Sequence, residues 1–159
     1  MTTAELKRRL LAEGCNPDYY ALNTRSYDGF CLMRRGQEWA VFYSERGRDQ
    51  EPIFTSPDED TACQYFFDFV MKMEHRHLVA VLRSEPAAQA LRARLGAQGI
   101  ATHAYPLLYA QDEYRQVVSV VGKDIFRARA LLGKLPIEDH DAAARPGSGF
   151  WAWLGRVFS

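Results

Sequence analysis

The residues able to do chemistry in this 159-residue chain are few, and their spacing argues against most reactions. His75 and His77 flank Arg76, but a metal would need a third ligand, and His103 and His140 have no acid or thiol at ligand spacing. Cys15, Cys31 and Cys63 are odd in number, far apart and set among apolar residues, which reads as reduced core thiols. None has a nearby histidine to make it a nucleophile. Gly122-Lys123-Asp124 looks like the end of a phosphate loop, yet Val117 stands where the first glycine belongs. Gly-x-Ser-x-Gly, His-Glu-x-x-His and Gly-x-Gly-x-x-Gly are all missing from the chain. Asp58, Glu59 and Asp60 have the look of paired carboxylates, but the geometry of a helix cap explains them. The expectation is a protein without catalytic residues, metal or cofactor, one that acts by binding another macromolecule.

Charge narrows the partner. The formal net charge is zero, but residues 1–75 carry 9 Lys/Arg against 13 Asp/Glu, a net of −4. Residues 76–135 carry 9 against 4, a net of +5, and residues 136–159 carry 2 against 3. Such poles steer charged partners in a salt-dependent way. Arg92, Arg94, Arg127 and Arg129 could meet phosphate, but the acidic first part opposes it and no aromatic-basic interleaving occurs. Direct nucleic-acid binding is therefore not expected. No run of about 18 uncharged apolar residues is present and Met1–Lys7 lacks the order of an export signal, so the expectation is a cytoplasmic chain without a membrane span.

The elements that must position these residues read as an α+β fold. Thr2 and Glu5 have capping-box spacing, Leu6, Leu10 and Leu11 follow at helical intervals, and Gly14 ends the run, predicting a helix over about 3–13. Strands are predicted at Tyr19–Leu22, Gly29–Arg34 and Glu38–Glu45, the last two joined by a tight turn at Arg35-Gly36-Gln37. Apolar residues on both faces of Glu38–Glu45 make that strand central. A polar loop, Arg46–Glu51, leads to a brief strand at Pro52–Thr55. Ser56 as N-cap, Pro57 at the first position and Glu59 closing a capping box predict a helix whose stripe is Ala62, Tyr65, Phe66, Phe69, Val70 and Met73. Residues 1–75 thus form a small antiparallel sheet flanked by helices.

A second unit, residues 76–135, has the order β-α-β-β-α of a ferredoxin-like module. His77–Leu82 is a strand, Ser84 caps a helix over about 85–97, and Ile100–Tyr105 and Arg115–Val121 are strands around a loop at Pro106–Glu113. Asp124 caps the last helix, through Leu135. Residues 136–159 read as a linker and an apolar tail in which Phe150, Trp151, Trp153, Leu154, Val157 and Phe158 form one stripe. That tail is too short to cross a bilayer. It could fold back on the body, dock a partner or a second copy, or lie on a membrane surface.

One segment carries a resemblance. Tyr20-Ala21-Leu22, Phe30-Cys31-Leu32, the run Glu38-Trp39-Ala40-Val41-Phe42-Tyr43-Ser44-Glu45-Arg46-Gly47, Ile53-Phe54 and Asp58-Glu59-Asp60-Thr61-Ala62-Cys63-Gln64-Tyr65-Phe66 follow one another between residues 18 and 67. A strand ending W-x-V-x-Y-x-E-R-G ahead of an acidic-x-x-A-C-x-Y helix resembles small bacterial immunity proteins, the antidotes encoded beside polymorphic or contact-delivered toxins. The resemblance covers about a third of the chain and implies a cytoplasmic antitoxin that binds a cognate toxin domain and occludes its active site. Residues 77–135 are similar instead to modules of signalling or regulatory proteins, which implies the alternative of a regulatory or small-molecule-sensing protein. Tyr43, Glu45 and Arg46 lie where a strand opens into a loop, from which they could project as interface anchors, or Tyr43 could be core and Glu45 and Arg46 a surface pair. With Asp58, Glu59 and Asp60, whose charge would suit a basic toxin such as a nuclease, they are the candidate partner-binding residues.

Overall fold

A computed structural model describes residues 1–139, and the apolar stripe of Phe150–Phe158 lies outside the described residues. The fold is α+β, in two units that divide between Glu74 and His75.

In the first unit, helix α1 (Thr3–Ala12) begins with a complete capping box between Thr2 and Glu5. It closes on a Schellman motif, with Cys15 N donating to Leu10 O and Gly14, at φ 74°, donating to Leu11 O. A 3-10 turn (Pro17–Tyr19) leads into the strands β1 (Tyr20–Leu22), β2 (Asp28–Arg35), β3 (Glu38–Glu45), β4 (Arg48–Asp49) and β5 (Phe54–Ser56). β3 is central, with β2 along one edge and both β4 and β5 along the other. The sheet is antiparallel except for β1, which runs parallel to β2 with Tyr20 opposite Phe30. Asn23, at φ 59°, turns the chain out of β1, and residues 24–27 carry it back to the start of β2. That return is short because β1 has only three residues, so no helical crossover is required.

The segment read as a loop, Arg46–Glu51, is partly strand: β4 makes a hairpin with β3, turned at Arg46-Gly47. Helix α2 spans Glu59–Val70, two residues later than the Ser56 cap predicts. Asp58 is the N-cap, its carboxylate accepting from Thr61 N at 2.8 Å and Thr61 Oγ1 at 2.6 Å. Ser56 is the buried last residue of β5, and its hydroxyl accepts from Asp58 N instead. Ser56 is held in β5 opposite Trp39, so the cap falls to Asp58, three residues ahead of Thr61. The predicted stripe of α2 lies on the sheet, where Phe66, Leu6, Leu10, Leu32 and Val41 are fully buried together. Burying an aromatic ring of this kind contributes on the order of 2–3 kcal/mol at about 25 cal/mol per Å².

In the second unit, strand β6 (Arg76–Leu82), helix α3 (Glu85–Ala97), strands β7 (His103–Ala110) and β8 (Glu113–Val121), helix α4 (Asp124–Leu132) and the short strand β9 (Ile137–Glu138) follow in order. The sheet order is β7-β8-β6-β9, so β8 separates β6 from β7 as in a split βαβ unit. Ser84 caps α3 as expected, its hydroxyl oxygen accepting from Ala87 N. Asp124 is the first helical residue of α4, not its cap, and its carboxylate pairs with Arg127. The predicted loop Pro106–Glu113 is strand on both sides of a tight turn at Gln111-Asp112, because β7 is an edge strand and tolerates Pro106. β9 falls in the stretch read as linker and runs parallel to β6. A true crossover from β8 through α4 would have returned a strand antiparallel to β6. Val79, Leu95, Val118, Val120 and Ala128 are the fully buried centre of this unit.

Candidate partner-binding surface

The six candidate residues do not share one surface. β5 pairs antiparallel with β3, setting Ser56 opposite Trp39, so α2 starts at the end of the sheet remote from Glu45. Six residues of strand separate those levels, about 20 Å at roughly 3.3 Å per residue.

At that remote end the three acids are occupied by the fold itself. Asp58 caps α2, and the hydroxyl and amide of Thr61 hold its carboxyl below the usual range. Glu59 accepts from the backbone N–H of Thr3 at 2.9 Å, tying α1 to α2. Asp60 pairs with the Met1 amino group. Tyr43 is half-buried on the helix-facing side of the sheet, edge-on to Phe30 at 5.0 Å, and Phe30 in turn packs edge-on against Phe69 at 4.6 Å. Burial raises its phenol pKa, with Asp28 and Glu45 adding to the effect. Tyr43 therefore supports the end of the sheet from beneath.

Glu45 and Arg46 are exposed at the β3–β4 turn, and here the geometry is unusual. Arg46 has φ 49° and Gly47 φ 77°, the pair of left-handed residues that a type I′ hairpin turn demands. Asparagine or glycine ordinarily fills the first of these positions, since a β-carbon there costs about 1–2 kcal/mol. An arginine held in that conformation stores strain at an exposed apex.

Sequence reasoning missed the neighbours that complete this apex. Tyr27 is 61% exposed, in the loop between β1 and β2. Its carbonyl accepts from Gly47 N, and the next residue, Asp28, accepts from Arg46 N at 3.1 Å. Arg25 from the same loop pairs with Asp49 of β4 at 3.1 Å, a carboxylate that also takes Arg35 at 2.5 Å. The Arg35 guanidinium lies 3.6 Å over the ring of the buried Phe42. Loop and turn are thereby stitched together at three points, leaving Tyr27, Glu45, Arg46 and Arg48 outermost. The only sequence signal was a lone tyrosine in the polar stretch Asn23–Asp28.

None of the three cysteines is prepared as a nucleophile. Burial pushes the thiols of Cys15 and Cys63 up to about 11, and that of Cys31 is raised as well. His75 and His77 are buried, and Gly122 N donates to the His75 carbonyl. Among the described residues no helix is long and apolar enough to cross a membrane.

Comparison with known proteins adds no relative. No protein family, curated protein or solved structure matches the chain. What the apex can do rests on its own geometry: an exposed tyrosine and exposed arginines on segments tied together by main-chain and ion-pair bonds have the composition of a protein-binding hot spot.

Proposed function

We propose that this chain is an immunity protein, a binder that neutralises a cognate bacterial toxin domain by covering its active site. The observation that carries the reading is the apex itself: Tyr27 exposed, and Arg46 kept in a left-handed conformation that stability alone would give to glycine or asparagine. Pre-ordering of this kind lowers the entropy lost on association, which is where tight inhibitors gain affinity. The strand and helix pattern between residues 18 and 67 supports the same reading. An interface of roughly 1,600 Å² centred on the apex would suffice for steric occlusion. The test is co-purification with the toxin domain encoded beside it, together with growth on co-expression: a stable complex and protection are expected, and failure of both at micromolar concentration removes the proposal.

The second reading, a small-molecule-sensing module, draws on the second unit. There Arg115, 5% exposed, has its Nε buried without a hydrogen-bond partner, and the buried Ser119 hydroxyl is likewise unpartnered. Buried polar atoms of this kind are costly unless something satisfies them. A metabolite that raises the melting temperature by several degrees would favour this reading.

A further inference from the structure

Helices α3 and α4 pack on one face of the second sheet, and the surface they turn to solvent is basic. Over residues 84–102 and 122–135 the helices and their ends carry Arg92, Arg94, Lys123, Arg127, Arg129 and Lys134 against Glu85 and Asp124. All of these cations are exposed. Asp124 pairs with Arg127 at 3.2 Å, and Glu85 stands at the start of α3, about 10 Å along the helix from Arg92. Arg92 donates to Thr102 Oγ1 at 3.2 Å, Arg94 to the Leu131 carbonyl at 3.2 Å and Arg127 to the Gly99 carbonyl at 3.5 Å. Neutral acceptors of this kind hold a guanidinium in place without cancelling its charge. The layer also offers apolar contact. Ile125 and Ala128 are buried, so Lys123, Phe126, Arg127 and Ala130, spaced i, i+3, i+4 and i+7, share the opposite face of α4, where Phe126 is 42% exposed. On α3, with Ala88 and Leu95 buried, the exposed Ala90, Ala93 and Ala97 lie outward between the charges.

From this unit the chain runs on to the apolar stripe at 150–158, which holds Trp151 and Trp153. Residues 140–149 link it to Asp139, a reach of about 35 Å when extended, enough to bring the stripe beside the helix layer. Of the acids on the way, Glu138 is half-buried, Asp139 accepts from Arg83 N at 2.8 Å, and Arg145 and Arg156 offset Asp141.

We infer that the helix layer of the second unit docks on an anionic phospholipid membrane, its cations among the headgroups, with Phe126 and the aromatic residues of the tail entering the acyl boundary. Of the places open to the tail, this selects the membrane surface, a contact that needs no span. Stable peripheral anchoring takes two signals, apolar insertion and attraction to anionic lipid. The tail carries the first with Arg156 as its one cation, and the helix layer carries the second. Screening at physiological salt confines each charge to about 8 Å, so the excess on the layer itself sets the attraction, not the acids of the first unit. A nucleic acid fits less well: Phe126 and alanines lie between the cations, where a phosphate chain would need donors, and Leu154 and Val157 give it nothing to bind.

The experiment is co-sedimentation of the full chain with phosphatidylcholine vesicles that contain or lack about 40% phosphatidylglycerol, at about 0.05 M and about 0.5 M salt. Wild type should bind the anionic vesicles at low salt at least tenfold more tightly than the neutral ones, and high salt should weaken that binding. Arg129→Glu with Lys134→Glu should lower the low-salt partition at least tenfold while thermal melting shows the chain still folded. Arg129→Gln with Lys134→Gln gives the intermediate value, and keeps the test valid should the double reversal fail to fold. Trp151→Ser with Trp153→Ser should weaken binding at both salts with melting unchanged. If wild type stays in the supernatant with anionic vesicles at low salt, or if either pair of substitutions leaves the partition as it was, the inference is overturned. Binding of a DNA duplex of about 20 base pairs, or of polyglutamate, in place of the vesicles and abolished by the charge reversal would overturn it in favour of a nucleic acid or an acidic protein.

Discussion

Arg46 sets residue type against backbone conformation at a single position. Glycine adopts φ 49° without a β-carbon penalty, so Arg46→Gly should raise the stability of the first unit by about 1 kcal/mol despite glycine's greater freedom when unfolded. Chemical denaturation would show this as a higher midpoint at unchanged slope, and on the proposed reading of the apex partner affinity should fall. The same substitution at a purely structural turn would gain stability and lose nothing. Gly29 is the opposite case: a β-carbon there would lie 2.8 Å from Ser26 Oγ and 3.1 Å from the Tyr19 carbonyl. Gly29→Ala should cost about 1–3 kcal/mol, as overpacking does, because the main-chain carbonyl has little room to move. Asp58 carries a pH dependence. Its carboxyl is held below its unfolded value, so its contribution is fully present above about pH 4 and disappears as pH falls through the lower folded value. Asp58→Asn keeps an acceptor for Thr61 without a titrating group, and urea midpoints followed from pH 6 to pH 2 should flatten accordingly.

At the scale of elements, the edges and the core make separate demands. β7 is an edge strand of eight residues, with Leu108 58% exposed on it and Tyr114 61% exposed opposite. An open apolar edge invites pairing with other chains, and Pro106 in its middle removes a donor that such pairing would use. Pro106→Val should therefore promote concentration-dependent self-association, visible in sedimentation velocity, with little change in the fold of the monomer. In α2 the fully buried Phe66 packs edge-on to Tyr20 at 6.3 Å. Phe66→Ala should cost about 3–5 kcal/mol, measured by denaturant unfolding. A loss that size would consume much of the stability of a small unit.

For the molecule as a whole, the two ends of the first sheet are assigned different work. The far end, with Asp58, Glu59 and Asp60, holds the helix starts together, and the apex, with Tyr27, Arg46 and Arg48 exposed, is the surface we propose for a partner. On the proposed immunity reading, co-expression with a cognate toxin domain should separate them: protection should survive Asp60→Asn and be lost on Tyr27→Ala with Arg46→Glu, at equal protein levels.

Local pattern determined much of this chain. The Thr2 box, the glycine-ended helices, the period of the α2 stripe and the central position of β3 depend on neighbours within a turn or a strand, and those are written in order along the sequence. Tertiary structure decided the rest. Whether Ser56 or Asp58 caps α2 depends on β5 claiming Ser56, and whether Pro106 breaks a strand depends on its lying at an edge. The apex exists only because residues 23–27 return beside the turn at Arg46-Gly47, some twenty positions away. Contacts between segments that far apart leave no period or spacing to read, so a lone tyrosine and a strained arginine became one surface only when the chain had folded.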